Sequence, residues 1–118
     1  MAAVITIMLM MMLSMFVIGL VLRSARDADL TVRRVQTLQA FYASEAGVQM
    51  SIRELVLIDD ADGDGTVGTI SDDSDDDTDP AIGSGKVVVE MSQSGGEITV
   101  SSTGRSGESH RVITSVFE

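Results

Sequence analysis

The chain has 118 residues, a formal net charge of -10 at pH 7 and no cysteine. That length holds one modest soluble domain beside any membrane segment, and without cysteine neither a disulfide framework nor a thiolate metal site can form. An excess of 18 acidic over 8 basic residues repels phosphates and disfavours direct nucleic-acid binding, and neither His110 nor the Ser and Asp residues form a recognisable catalytic arrangement, so no enzyme is expected.

The first segment, residues 1–22, reads MAAVITIMLMMMLSMFVIGLVL and carries no charge. As a helix rising about 1.5 Å per residue it covers roughly 33 Å, enough to cross a bilayer. Met8, Met10, Met11 and Met12 read as packing groups of a membrane helix rather than soft-metal ligands. A cleaved secretory signal fits less well, because no basic region precedes the run and no small-residue cleavage site follows it. Arg23, Arg26, Arg33 and Arg34, taken alone, hold the next segment on the cytoplasmic side. A short basic leader upstream of Met1 would oppose them.

Helix-compatible sequence continues through residues 23–57 without proline. One rod of about 55 residues, roughly 80 Å long, is therefore expected. Leu38, Phe41, Glu45, Val48, Ile52 and Leu55 recur at spacings of three and four, so this stripe is expected to carry a small domain. Another side bears Ala43, Gly47 and Ser51, with Ala40 nearby. Small residues at that spacing either let a second helix approach closely or rest on the chain's own sheet.

Residues 58–82 form an acidic loop. Asp59 to Asp79 contains ten aspartates and no base, while the remaining acidic and basic residues number eight each. Within it, DADGDGTVG at 60–68 alternates Asp60, Asp62 and Asp64, offers Gly65 for a sharp turn and places Val67 where an apolar anchor belongs. This resembles the start of an EF-hand or dockerin loop, in which alternate oxygens converge on a hard cation. Calcium is the expected cofactor, with Asp60, Asp62, Asp64, Thr66 and Asp72 as candidate ligands. The closing position holds Ser71, and Asp72 comes one residue late. A solvated acidic loop is the other reading, and mutual repulsion makes its order depend on a cation.

Beyond Pro80 the pattern becomes extended. KVVVEM at 86–91, EITVSS at 97–102 and HRVITSVF at 110–117 are candidate strands separated by turn-rich SQSGG and TGRSGES. Val100, Val112 and Val116 are expected to face the helix stripe. The predicted fold is α+β: a long N-terminal helix continuing from a hydrophobic anchor, with a small antiparallel sheet over residues 83–118 packed on its C-terminal half.

The apolar helix followed by AFYASEAGVQMSI at 40–52 resembles the type IV pilin-like proteins, in particular minor pilins of the PilX-like N-terminal class and their type II secretion pseudopilin counterparts. In that group the anchor leads to a sequence like A-x-x-A-F-Y-A-A-E-A-G. Ala40, Phe41, Tyr42, Ala43, Glu45, Ala46 and Gly47 match, with Ser44 a conservative variation, and the likeness covers about the first 55 residues. The resemblance implies a leader trimmed by a prepilin peptidase and methylation of the new N-terminus, here Met1. It also implies a subunit held in the inner membrane and then extracted, with copies of itself or other pilin-like subunits, into an extracellular or periplasmic filament. Pilins commonly carry a glutamate at the fifth mature position, where this chain has Ile5, and the helix-kinking proline common near position 22 is missing.

The implied assembly residues are Ile5, Gly19, Ala43, Glu45 and Gly47. A carboxylate flanked by apolar residues, as Glu45 is, is expected to take a cationic or hydrogen-bonding partner, such as Arg33 or Arg34 of another subunit or a backbone donor in the sheet; a solvent-facing acid with no special role is the other reading. The expected function is that of a structural subunit of a type IV pilus-like or type II secretion-like filament, stabilised by calcium. The alternative is a single-pass membrane protein that presents an acidic ligand-binding domain and never polymerises.

Overall fold

The computed structural model describes residues 2–70 and 80–118. The elements are helix α1 (Ala2–Leu57) and strands β1 (Ala81–Ile82), β2 (Gly85–Ser94), β3 (Glu97–Ser106) and β4 (Ser109–Phe117). This is the expected α+β arrangement, a long apolar N-terminal helix followed by a small antiparallel sheet. The chain divides into two compact units, Met1–Arg34 and Val35–Glu118.

In the first unit the large apolar side chains from Val4 to Leu22 all stand exposed, and α1 is long and apolar enough to cross a membrane. The hydroxyls in this stretch are absorbed by the helix itself. Thr6 Oγ1 donates to the Ala3 carbonyl at 3.0 Å and Ser14 Oγ to the Met10 carbonyl at 2.8 Å, which removes the cost of placing an unpaired hydroxyl in hydrocarbon. Further along, Arg33 Nε pairs with Asp29 one turn back at 3.1 Å.

In the second unit the sheet has the order β1-β2-β3-β4, and every neighbouring pair is antiparallel. The three long strands contain the three expected ones and extend them, so that the intervening turns tighten. Between Ser94 and Glu97 only Gly95 and Gly96 remain, both at positive φ, the requirement of a type I′ hairpin whose twist matches the flanking strands. The core consists of Ile70, Val87, Val89 and Val100, with Met50, Leu55, Met91, Ile98 and Phe117 packed against it. Burying each of these four β-branched side chains is worth about 1.5–3 kcal/mol. Ile70 enters it by pairing with Val89 through two backbone hydrogen bonds of 3.1 and 2.8 Å.

The helix meets the sheet through its small residues. Ala40, Ala43, Ser44, Gly47, Val48, Ser51 and Glu54 are buried, whereas Leu38, Phe41, Tyr42 and Glu45 are exposed. The expected stripe is therefore corrected: Val48 and Leu55 serve the core, but Leu38, Phe41 and Glu45 do not. The reason lies in β3, whose inward side chains Ser102, Gly104 and Ser106 are small. Helix backbone at Ala40 and Ser44 sits directly over Gly104, and Gly47 lies under Ser102, Val87 and Val89. A rotation that brought Phe41 inward would force these backbones apart and forfeit the dispersion contacts between them.

Strand parity gives the second correction. Val100 is fully buried, but Val112 pairs with Thr103 and Val116 with Thr99, positions on the face away from the helix, and both valines are exposed. In β4 the inward positions are Ile113, Ser115 and Phe117, opposite Ser102, Val100 and Ile98.

Candidate functional site

The acidic loop begins where α1 ends. Ile58 adopts φ 53°, a left-handed conformation unusual for a β-branched residue. Its N–H donates to the Glu54 carbonyl at 2.7 Å, and the Asp59 N–H donates to the same oxygen at 3.3 Å. This closes the helix and turns the chain back over Glu54.

Glu54 is 1 % exposed. Its carboxylate accepts the Ala61 N–H on Oε1 at 2.9 Å and the Gly68 N–H on Oε2 at 3.0 Å, so one buried side chain ties both limbs of the loop to the helix. Ser51, one turn earlier, donates to the Gly68 carbonyl at 2.6 Å. Gly68 has φ 95° and lies against Leu55 and Met91, so a side chain there would meet strain and contact together.

The aspartates shape the turn. Asp60 accepts the Gly63 N–H at 2.8 Å and the Gly65 N–H at 2.9 Å, while Asp64 accepts the Thr66 N–H at 2.6 Å and the Thr69 hydroxyl at 2.8 Å. Desolvation pushes the Asp60 carboxyl up. The amides of Gly65 and Gly63, the Asp62 side chain and the Asp64 amide outweigh it, and the group is held below its ordinary value of 3.8.

Glu54, Asp60 and Asp62 each turn a carboxylate oxygen to a common point, the three oxygens lying within 4.8 Å of one another. Such a set can hold a hard cation, because three oxygens supply part of the shell it requires. A cleft of about 140 Å³ adjoins it, lined by Met50, Arg53, Glu54, Ala61, Asp62, Ile70 and Pro80. Two of the sequence-derived ligands, Asp60 and Asp62, thus come together. Asp64 and Thr66 lie outside this group of three, with Asp64 engaged by Thr66 and Thr69, and Asp72 lies outside the described residues. Glu54 was not among the sequence candidates. Its signal was an acid in register with Ala43, Gly47 and Ser51, the face that turns out to be buried.

The sequence-derived assembly residues separate. Ile5 is exposed, and among the described residues nothing lies within 4 Å of where a Cβ at Gly19 would stand. Ala43 and Gly47 are buried against the chain's own sheet. Glu45 is exposed and has no side-chain hydrogen bond or ion pair with any described residue. Met1 lies outside the described residues. On the helix side away from the sheet, the exposed rings of Phe41 and Tyr42 meet edge to face, with centroids 5.8 Å apart at 70°.

No protein-family model matches the chain, and neither a curated protein nor a solved structure matches it significantly. Its own arrangement, a long apolar N-terminal helix with a small C-terminal antiparallel sheet, is consistent with a generic pilin-like architecture.

Proposed function

We propose that this chain is a structural, non-catalytic subunit of a type IV pilus-like or type II secretion-like filament. The observation that carries the reading is the apolar surface the chain leaves uncovered: Val4 to Leu22 on every side and, in the second unit, Leu38, Phe41 and Tyr42 opposite the sheet. Contiguous exposed apolar surface marks contact with lipid or protein, and a helix face shaped for lipid can exchange it for neighbouring helices. In this account the helix is held in the inner membrane after a prepilin peptidase releases and methylates Met1. It then enters an extracellular or periplasmic filament with other copies or other pilin-like subunits. Ile5 and Gly19 belong to the anchor contacts, and Glu45 sits among Phe41, Tyr42 and Gln49 on the assembly face. Calcium bound by Glu54, Asp60 and Asp62 orders the loop.

The assembly face is tested with Tyr42→Arg and Glu45→Ala, by scoring membrane insertion and incorporation into sheared filaments separately. Intact insertion with reduced incorporation is expected, and full incorporation of both variants overturns the face. The calcium site is tested by titration of Asp60→Asn/Asp62→Asn. Loss of saturable binding is expected, and unchanged affinity removes the site.

A further inference from the structure

The two edges of the sheet are finished differently. On the β2 side, β1 pairs with Gly85 and Lys86, and Ile70 bridges Val89. On the far side β4 is the last strand, and among the described residues nothing pairs with its outer edge. The second unit's helix lies over Val87, Val89, Ser102 and Gly104, on β2 and β3, and reaches β4 at its first residue, where Thr37 meets Ser109 at 3.4 Å.

Which backbone groups face outward follows from the β3–β4 hairpin. Gly107 and Glu108 form a two-residue loop closed by Ser106 and Ser109, a pair that exchanges hydrogen bonds in such a turn. The register then runs one for one to Ile98 and Phe117 without a bulge, so bonded and non-bonded positions alternate. Arg111, Ile113, Ser115 and Phe117 therefore bond to β3, and His110, Val112, Thr114 and Val116 direct their N–H and C=O groups away from the sheet.

Natural edges are blunted by brevity, proline, lysine or a bulge. β4 is nine residues long, holds no proline or lysine, and carries no charge from Val112 to Phe117. A row of outward donors and acceptors among β-branched side chains is a template for one more strand. The strand is also its own complement. Two copies turned about an axis through Thr114, normal to the sheet, keep both helices on one face and set outward groups against outward groups. In that register Thr114 meets Thr114, Val112 meets Val116 and His110 meets Glu118, with no like charges opposed. These are the hydroxyl, β-branched and opposite-charge pairs that stabilise antiparallel ladders. Val112 and Val116, each more than half exposed, are covered by it. Because the β2 edge already has partners, the pairing closes at two copies instead of propagating.

We propose that β4 is the docking edge for β4 of a second copy of this chain, in an antiparallel two-fold contact centred on Thr114 that makes one continuous sheet of both domains. The contact goes beyond the subunit reading and does not rest on it. It also has a polarity. The helix enters the second unit beside the β3–β4 hairpin, where Gln36 lies against Gly107, and the two-fold places the two hairpins at opposite ends of the joined sheet. The contact therefore links copies presented from opposite directions, not neighbours standing the same way up.

The absence of native cysteine permits a direct test on the full-length chain in neutral detergent. Thr114→Cys should form a disulfide dimer, since the paired Cα atoms stand about 5.5 Å apart, inside the disulfide range. When Val112→Cys and Val116→Cys chains are mixed, the mixed dimer should exceed either same-site dimer by roughly tenfold or more, because same-site thiols lie about 13 Å out of register. Added to Thr114→Cys, the pair Val112→Lys/Val116→Lys opposes lysine to lysine and should abolish the crosslink. Val112→Lys/Val116→Glu opposes lysine to glutamate and should restore it. Circular dichroism confirms that each variant folds. In the native chain, amide exchange at Val112, Thr114 and Val116 should slow several-fold as protein concentration rises, while Ile113 and Ser115, already bonded to β3, stay unchanged.

Edge amides that exchange fast at every concentration overturn the inference and leave β4 to a strand of another protein. Same-site dimers in equal yield with the mixed one overturn it too, as does a folded Val112→Lys/Val116→Lys chain that still crosslinks through Thr114→Cys.

Discussion

Gly104→Ala is the sharpest test of the helix–sheet packing. A Cβ at Gly104 would collide with the Ala40 carbonyl oxygen and come within 2.5 Å of the Ser44 nitrogen and 3.1 Å of the Ala40 carbonyl carbon. All three are helix backbone and cannot rotate away, so the helix must lift from β3. Overpacking costs typically about 1–3 kcal/mol and occasionally more, and this site belongs at the upper end, about 3 kcal/mol. In a domain of about 60–100 residues, that lowers Tm by roughly 12–24 °C. Gly47→Ala supplies the contrast. Its Cβ would meet side-chain atoms only, Ser102 Oγ, Val87 Cγ2 and Val89 Cγ2, of which the Ser102 hydroxyl can turn away while the two buried valines must shift. A helical alanine also recovers about 1 kcal/mol of propensity, leaving a net loss of about 0–2 kcal/mol. The Ser102 hydroxyl is buried with no hydrogen-bond partner among the described residues, so Ser102→Ala removes an unsatisfied group worth about 1 kcal/mol. It should rescue Gly47→Ala and leave Gly104→Ala unrescued. The assay is thermal and urea unfolding of the full chain in detergent, followed by far-ultraviolet circular dichroism. Gly104→Ala within about 0.5 kcal/mol of the parent, or rescued by Ser102→Ala, would refute the close backbone approach.

Ile58→Gly should stabilise the chain by about 0.5–1 kcal/mol, since it relieves a left-handed β-branched residue that is 82 % exposed; a loss in urea unfolding would show that the side chain does something the helix end needs. Glu54→Gln leaves one oxygen for two amide donors and should cost about 1–3 kcal/mol. Hydrogen exchange would then accelerate at Ala61 or Gly68, and unchanged protection at both would argue against the clamp. The Asp60 carboxyl, held below 3.8, contributes stability present above that value and lost as pH falls through the lowered one. In an acid titration the Gly63 and Gly65 amide resonances should hold until pH is below 3.8, and a midpoint above it would contradict the turn.

Much of this architecture was legible because its signals are local. An uncharged run of twenty-two residues, a proline-free helix and valine-rich segments separated by glycine-containing turns each carry their own signal. What escaped depended on pairing. Periodicity put Leu38, Phe41 and Glu45 on one side of the helix, but it could not weigh them against a neighbouring face made of Ala43, Gly47 and Ser51. That choice was settled by Ser102 and Gly104, almost sixty residues away. Val112 and Val116 alternate correctly, yet a shift of one residue in register decides which face they take. In the acidic loop Asp60 and Asp62 followed from the motif. Glu54 did not, because an acid on a helix reads as solvated until the face beneath it is known to be covered. The left-handed Ile58 gave no sign, since glycine or asparagine is the residue such a helix end favours.

The central claim is that this chain ends in a filament, and the most direct measurement is the intact mass and N-terminal fragment spectrum of the native protein recovered from sheared surface filaments and, separately, from detergent-extracted membranes. The account predicts that the chain is present in the filament fraction, with an N-terminus at Met1 bearing one added methyl group. A chain confined to the membrane fraction with an unmethylated N-terminus would contradict it, and would favour an anchored protein that displays its acidic domain without assembling.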